Sequence, residues 1–356
     1  MKRIPSHWGL LTCIVLAGCT EEKSTTEDES TETGEAEEFV PQFADSLEMN
    51  LWIEPHMAGI WNGLVPIDDE GIGFSTMSIV VNNEPMQLTI RHYDWDLNPR
   101  YIDDKEFIAV TRQFELPQGD HITDHAIVRL GDSLYFAYTG NVQNYLHMVK
   151  TDLNGQREAF RVIYEETPYP ANDMILVATD DSICMRIGRD GPQKYAECFD
   201  PDSLETTFST TIETQRATGN LGSAVYRDGE FKVFAGGFDQ RTLTMTMYDE
   251  QWQPKDPFEQ ELVPSENRDW NWAASGSTYI PEYDMWAVAY TNMPDSGQAN
   301  YDSRGRLALF DAEWNLVDLE EFGELATHRP HLLWQDPHLY LSFDAGPVLI
   351  RRYELK

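Results

Sequence analysis

The chain has 356 residues, 61 of them acidic against 26 basic, for a formal net charge of −35, and aromatics make up 12% of it. A surface this acidic repels nucleic acid and anionic headgroups, so nucleic acid is set aside as a partner. Four cysteines are too few for a disulfide-dense scaffold, and no CxxC pair offers a structural zinc site.

At the N-terminus, Lys2 and Arg3 precede a mostly apolar run, Leu10 to Leu16, that is far too short to cross a bilayer as a helix. Leu16-Ala17-Gly18-Cys19 follows. Small residues before the cysteine suit a signal-peptidase cleft, and the thiol suits acylation. The segment resembles the lipobox of bacterial lipoproteins, L-[AS]-[GA]-C, and matches it at every position. The resemblance covers the first nineteen residues only. It implies that residues 1–18 are a removed signal peptide and that Cys19 carries the lipid. Several acyl chains hold a protein on a membrane far more firmly than one chain does. In such lipoproteins an Asp after the cysteine marks retention in the inner membrane. Thr20 stands there instead, which implies the outer membrane, with the body on either side of it. The competing reading is an ordinary secretory signal with a chance cysteine.

Residues 20–38, TEEKSTTEDESTETGEAEE, hold no aromatic and no large aliphatic side chain. Such a segment buries too little apolar surface to offset the entropy of ordering it, and its like charges extend it. A disordered acidic tether over 19–38 is expected, with an acidic recognition tail as the alternative.

From residue 39 onward the chain repeats itself. An apolar strand running into Asp and a polar turn occurs at 88–99 (Asp94), 146–156 (Asp152), 194–204 (Asp200), 243–254 (Asp249) and 306–316 (Asp311), and a last copy at 348–356 is cut off by the C-terminus. Before each lies a pair of strands around an Asp/Gly turn, as in AIVRLGDSLYFAYTG (126–140) and SAVYRDGEFKVFAGG (223–237). A further strand-like stretch follows most Asp copies, such as 107–114 and 160–165. A period of roughly 40 to 60 residues points to propellers or solenoids, and four strands per unit point to a propeller.

The body, residues 39–356, therefore resembles a β-propeller repeat protein: all-β, six blades of four antiparallel strands. Seven blades or β-sandwiches are the competing architectures. The sixth unit ends on its third strand, and the alternating segment Leu47 to Ile53 is expected to supply the fourth and close the ring. Neither the WD dipeptide signature nor the S-x-D-x-G-x-T-W box of sialidases is present.

Cys184 and Cys198 lie symmetrically about Gly191 in a hairpin pattern. A cross-strand disulfide is expected, because directly opposed residues bring their Cβ atoms within bonding range and an exported compartment permits oxidation. Gly131-Asp132-Ser133-Leu134 spells the GDSL hydrolase motif but sits between two strands, where a repeat turn is the better account. Asp94, Asp96 and Asn98 open like a calcium loop, yet Pro99 and Lys105 stand where that loop needs Gly and Glu. Capping of the turn by Asp94 is expected instead.

Polar side chains recur where the inner strands of a propeller begin: Asp124 and His125, Asn172 and Asp173, Asn220, Asn271, and His331, with Trp270 and Trp272 beside them. Converging at one mouth of the channel, Asp124, His125, Asp173, Asn220, Asn271, Trp272 and His331 would form a ligand pocket. The alternative is that they cap strands. No spacing supports a metal held by His125 and His331, and no catalytic residue or cofactor is assigned. The first functional reading is a non-catalytic lipoprotein presenting a rigid disc to a protein or glycan partner. The alternative is a carbohydrate-active or other hydrolytic propeller with carboxylates such as Asp124 and Asp173 in the channel, since glycoside cleavage needs two carboxylates flanking one bond.

Overall fold

Both faces of every sheet in this chain are apolar, so no sheet can stand alone. The computed structural model describes residues 42–51, 62–78, 87–111, 122–140, 145–165, 174–187, 193–213, 222–235, 242–264, 270–294, 304–322, 328–344 and 348–355. The signal segment, Cys19 and the acidic tether lie outside the described residues.

Six antiparallel sheets follow one another along the chain. Blade 1 holds β2 (Asn62–Asp68), β3 (Gly71–Ser78) and β4 (Gln87–Asp94), with β5 (Pro99–Arg100) and β6 (Ile108–Ala109) along its outer edge. Blade 2 is β7 (Ile122–Leu130), β8 (Ser133–Gly140), β9 (Leu146–Asp152) and β10 (Arg157–Tyr164). Blade 3 is β11 (Ile175–Ala178), β12 (Ile183–Ile187), β13 (Gln193–Phe199) and β14 (Thr206–Glu213). Blade 4 is β15 (Gly222–Arg227), β16 (Glu230–Ala235), β17 (Thr242–Asp249) and β18 (Pro254–Pro264). Blade 5 is β19 (Trp270–Ile280), β20 (Met285–Pro294), β21 (Arg304–Phe310) and β22 (Leu316–Phe322). Blade 6 is β23 (His328–Gln335), β24 (His338–Asp344), β25 (Val348–Leu355) and, from the other end of the chain, β1 (Phe43–Leu51). There is no helix among the described residues. The first strand of each blade packs against the first strand of the next, and β23 returns to β2. The body is a six-bladed β-propeller.

Side-chain alternation explains the stacking. Residues two apart on a strand share a face. On β8, Leu134, Phe136 and Tyr138 pack on blade 1, whereas Tyr135 and Ala137 pack on blade 3. On β20, Met285, Ala287 and Ala289 face blade 6, and Trp286, Val288 and Tyr290 face blade 4. The core is accordingly six separate apolar clusters, one at each junction between neighbouring blades.

The recurring Asp closes the turn between the third and fourth strands. Asp94 Oδ1 accepts the amides of Asp96 (2.9 Å) and Asn98 (2.8 Å). Asp152 does so for Asn154 and Gln156, and Asp249 for Gln251 and Gln253. Asp200 binds the amides of Asp202 and Ser203, and Asp311 that of Asn315. Such Asx geometry is how a carboxylate organises a tight turn, and it is the capping expected of Asp94. The turn then forces one residue to positive φ: Leu97, Leu204, Trp252 or Trp314. In an L-residue this is uncommon. Here it swings an apolar side chain back under the sheet. Trp252 is buried and stacks on Phe231 at 4.1 Å, and Trp314 stacks on Trp286 at 5.2 Å. In blade 2 the position is Gly155 (φ 77°), where a Cβ would come within 2.8 Å of Ile90. The GDSL segment is likewise a turn, with Leu130 paired to Ser133 across Gly131 and Asp132.

Two expectations change in detail. The closing strand runs from Phe43 to Leu51 rather than from Leu47 to Ile53, because Phe43 packs its ring 5.5 Å from Tyr353 and donates its amide to Asp318 Oδ2 of blade 5. The continuous outer strand expected near 107–114 is not formed over its described part. Only the two-residue piece β6 (Ile108–Ala109) forms there, with β5 (Pro99–Arg100) earlier along the same edge of blade 1. Seven blades and β-sandwiches are excluded by the sheet order. The Cys184–Cys198 disulfide is present and joins directly paired residues of β12 and β13 across a separation of 14 residues. Closing a loop of this size contributes roughly 3 kcal/mol in the chain-entropy model.

β1 meets β25 in seven registered pairs, each worth roughly 0.2–1 kcal/mol. A chain starting after Leu51 is expected to lose several kcal/mol and to aggregate through the bared edge of β25. Re-attaching residues 42–51 after Lys356 through a short Gly/Ser linker is expected to restore most of the thermal midpoint. Equal midpoints for the intact and truncated chains would show that β1 does not close the ring.

Candidate functional site

The first strands of the six blades surround an axial cavity of about 610 Å³. Its wall is mostly apolar, with Val65, Ile127, Val128 and Leu176 among the lining residues. Arg129, Thr179, Ser223, Ser277 and His331 supply the polar side chains. Ser223 Oγ donates to Ser277 Oγ at 2.8 Å, tying β15 to β19 across the wall. Arg129 is held by the carbonyls of Gly131 (2.8 Å) and Pro66 (3.4 Å).

At the end of the cavity where the inner strands begin, polar groups are buried rather than displayed. Asp124 on β7 is only 2% exposed, and its Oδ2 accepts the amide of Met174 at 3.1 Å. The carboxylate thus reaches from blade 2 to the start of blade 3. His125, the next residue, is 4% exposed. Its Nε2 lies 2.9 Å from Ser75 Oγ of blade 1, whose hydroxyl also reaches the Gly63 carbonyl. His125 Nδ1 has no partner among the described residues. His331 on β23 lines the cavity itself. Asn62 links blade 1 to blade 6: its Nδ2 donates to the Arg329 carbonyl (3.4 Å), and its Oδ1 accepts from Ser342 (2.6 Å).

Burial is the main reason both imidazoles resist protonation. It holds His125 down to about 3, helped by the nearby His331 and Arg329, and it holds His331 down to about 4, helped by Arg329. Both are neutral over the physiological range. They are hydrogen-bonding groups there, not cations.

The candidate residues divide into three groups. Asp124, His125 and His331 are at the expected end of the inner strands. Asn271 and Trp272 lie in β19, the inner strand of blade 5. Asn172, Asp173 and Asn220 lie outside the described residues. Asp124 and His125 differ from expectation in orientation: they bridge blades instead of opening onto the mouth, because an unpaired carboxylate or imidazole at a closed junction would be costly. Three residues of this region were missed: Asn62, Arg329 and Asp344. Asp344 is a carboxylate 6% exposed at the end of β24. Its signal was the polar residue ending the apolar run LYLSF. Arg329 has φ 44°, a strained position for a long side chain, and nothing in the one-dimensional pattern marks it. No group of three or more His, Cys, Asp or Glu that could hold a metal occurs among the described residues.

No protein-family model and no curated protein matches the chain. Solved structures do resemble it. A sialidase of Trypanosoma rangeli in complex with the inhibitor DANA superposes with a TM-score of 0.57 at 10% identity, over 83% of this chain and 55% of the sialidase. A DUF4623 family protein from Bacteroides eggerthii gives 0.55 at 9% identity, over 89% and 76% of the two chains. A DUF4221 family member from Bacteroides vulgatus gives 0.50 at 11%, over 89% and 97%. This chain thus spans about half the length of the sialidase. At such identities the likeness shows the fold. The first functional reading, a non-catalytic binding disc, is set aside as a correction, because the solved structures sharing this fold include sialidases. The balance moves to the alternative.

The two imidazoles set a pH dependence. An unfolded histidine titrates near 6.5. Between that value and the folded value, the unfolded chain binds protons that the folded chain refuses, so stability rises with pH across the window and is lost on acidification. Above about pH 6.5 the groups are neutral in both states and contribute nothing. Urea midpoints of His125→Gln, read from about pH 4 to pH 6.5, are expected to show a shallower slope than the parent, by up to about 1.4 kcal/mol per pH unit. Identical slopes would mean that His125 is protonated in the folded state.

Proposed function

We propose that this protein is an exported hydrolytic propeller acting on glycans, with its chemistry at the end of the axial cavity where the inner strands begin. The observation that carries the reading is Asp124. It is a carboxylate 2% exposed that reaches from blade 2 to the start of blade 3, beside a neutral His125 and two residues before Ala126, which lines the cavity of about 610 Å³. Buried carboxylates recur among catalytic acids and bases. A second carboxylate is required. Asp173 is assigned from its place in the sequence: it directly precedes Met174, whose amide meets Asp124. His331 and the hydroxyls of Ser223 and Ser277 would orient sugar hydroxyls along the wall.

The same reading covers the rest of the chain. Residues 1–18 act as a signal peptide, Cys19 carries the lipid, and residues 20–38 tether the propeller to the outer membrane. The motif at Leu16–Cys19 supports this, and the tether's charge keeps the body clear of an anionic surface.

The full chain is expected to release fluorophore from at least one member of a panel of 4-methylumbelliferyl glycosides that includes sialosides and arabinosides. Asp124→Asn keeps the hydrogen bond to Met174 and is expected to lower kcat by roughly a hundredfold or more. Turnover equal to the parent would exclude Asp124, and silence across the panel and on polymeric glycans would exclude the activity. Separately, the N-terminal peptide from the native membrane fraction is expected to carry acyl mass on Cys19. Unmodified Cys19 in that fraction would remove the anchor.

A further inference from the structure

Among the described residues, blade 1 is the blade whose outer edge is not one continuous strand. Where blades 2 to 5 place a single outer strand, the chain here forms β5, a turn and β6. Ile102 and Lys105 pair across Asp103 and Asp104, both at positive φ (51° and 62°). This is the pattern of a primed hairpin turn. Departures from an otherwise consistent repeat are where function is most often carried.

The inserted turn walls a cavity of about 290 Å³ against the Asp152 turn of blade 2. It is lined by His92, Arg100, Tyr101, Ile102, Asp103, Asn154 and Gln156. It lies at the ends of the strands opposite Asp124, because β4 finishes there and the turn after Asp152 begins there. His92 is 3% exposed, and its Nε2 has no partner among the described residues. Burial is the main cause that holds His92 down to about 4, so the ring is neutral and can accept or donate to a hydroxyl. Tyr101 is 63% exposed, unusually bare for a ring. The guanidinium of Arg100 is already committed, with Nη1 at 3.0 Å from Asp68 and Nη2 at 3.3 Å from Glu70. With its charge balanced and Asp103 on the rim, the cavity does not favour an anion.

What remains is a bare aromatic face, two carboxamides, a carboxylate and a neutral imidazole. Hydroxyl-rich ligands need donors and acceptors in this mixture beside an apolar face, and the volume suits a single sugar ring. We propose that this cavity between blades 1 and 2 is a saccharide-binding subsite for a neutral pyranose, which stacks on Tyr101 and shares its hydroxyls among Asn154, Gln156, Asp103 and His92. The subsite does not depend on the hydrolytic reading. A protein with no turnover could still hold a glycan here.

The test uses the full chain and the methyl glycosides of glucose, galactose, mannose and N-acetylglucosamine. Binding is followed by saturation transfer to the sugar and by the imidazole nitrogens of His92 in long-range proton–nitrogen spectra. At least one glycoside is expected to move His92 Nε2. Tyr101→Ala, a truncation at an exposed position, is expected to weaken that binding roughly tenfold or more, and Asn154→Ala to weaken it by a smaller factor. Asp124→Asn is expected to leave it unchanged, which separates this site from the channel mouth. The proposal is overturned if no glycoside moves His92, or if Tyr101→Ala and Asn154→Ala both bind as the parent does. It is also overturned if inorganic phosphate moves His92 while the sugars do not.

Discussion

The fold rests on a shortage of partners: each four-stranded sheet has two apolar faces and covers neither by itself. Burying both faces against neighbours is satisfied only when the last neighbour is also the first. The weak point of such a ring is the seam. Here it is the pairing of β1 with β25, which brings residues some three hundred positions apart in sequence into one sheet. The amide of Phe43 on Asp318 extends the seam to the neighbouring blade. Pairing the final edge removes the exposed ladder that would otherwise recruit other chains. Blade 1 meets blade 6 through a further cluster in which Tyr340, Val348 and Ile350 pack on Ile72, Phe74 and Leu97.

Much of this was legible in the sequence because the repeat punctuates itself chemically. The Asp that ends the third strand in blades 1 to 5 has a local job, accepting one or two nearby backbone amides, that needs no tertiary context. It recurs at a position defined by the chain alone, so blade count and strand order could be read from Asp94, Asp152, Asp200, Asp249 and Asp311. The cysteine pair was legible for the same reason, since opposed positions on a hairpin follow from counting. The outer edge of blade 1 was not legible. The stretch from Phe107 to Phe114 has strand composition, but the turn at Asp103 and Asp104 consumes the chain that would have run straight, and two adjacent acidic residues at positive φ leave no pattern to read.

The channel mouth was legible in position and not in orientation. Topology alone places Asp124, His125 and His331 at the start of inner strands. Whether a side chain points into the cavity or back between blades depends on what faces it, and the facing groups come from elsewhere in the chain. Ser75 meets His125 from fifty residues away, and Met174 meets Asp124 from the next blade. Asn62, Arg329 and Asp344 escaped notice because their importance comes from meeting one another or their neighbours at the seam. Seam contacts have the longest separations in the molecule, such as Ser342 to Asn62 at 280 residues.

A propeller separates the two demands made on its residues. Stability comes from the blade junctions, where alternation and the Asp turns repeat with little variation. The ends of the inner strands and the outer edges face no obligatory neighbour, so residues there can depart from the repeat without opening the core. That is where the exceptions lie: a buried carboxylate and two neutral imidazoles at one end of the channel, and, on the outer edge of blade 1, an interrupted strand with a bare tyrosine beside an orphaned imidazole nitrogen. Unpaired buried nitrogens such as His92 Nε2 and His125 Nδ1 cost stability wherever they occur. Trp252 Nε1 shares that condition inside the cluster between blades 3 and 4, so an orphaned nitrogen alone marks no site; what sets His92 and His125 apart is the set of polar groups gathered beside them where blades 1 and 2 meet.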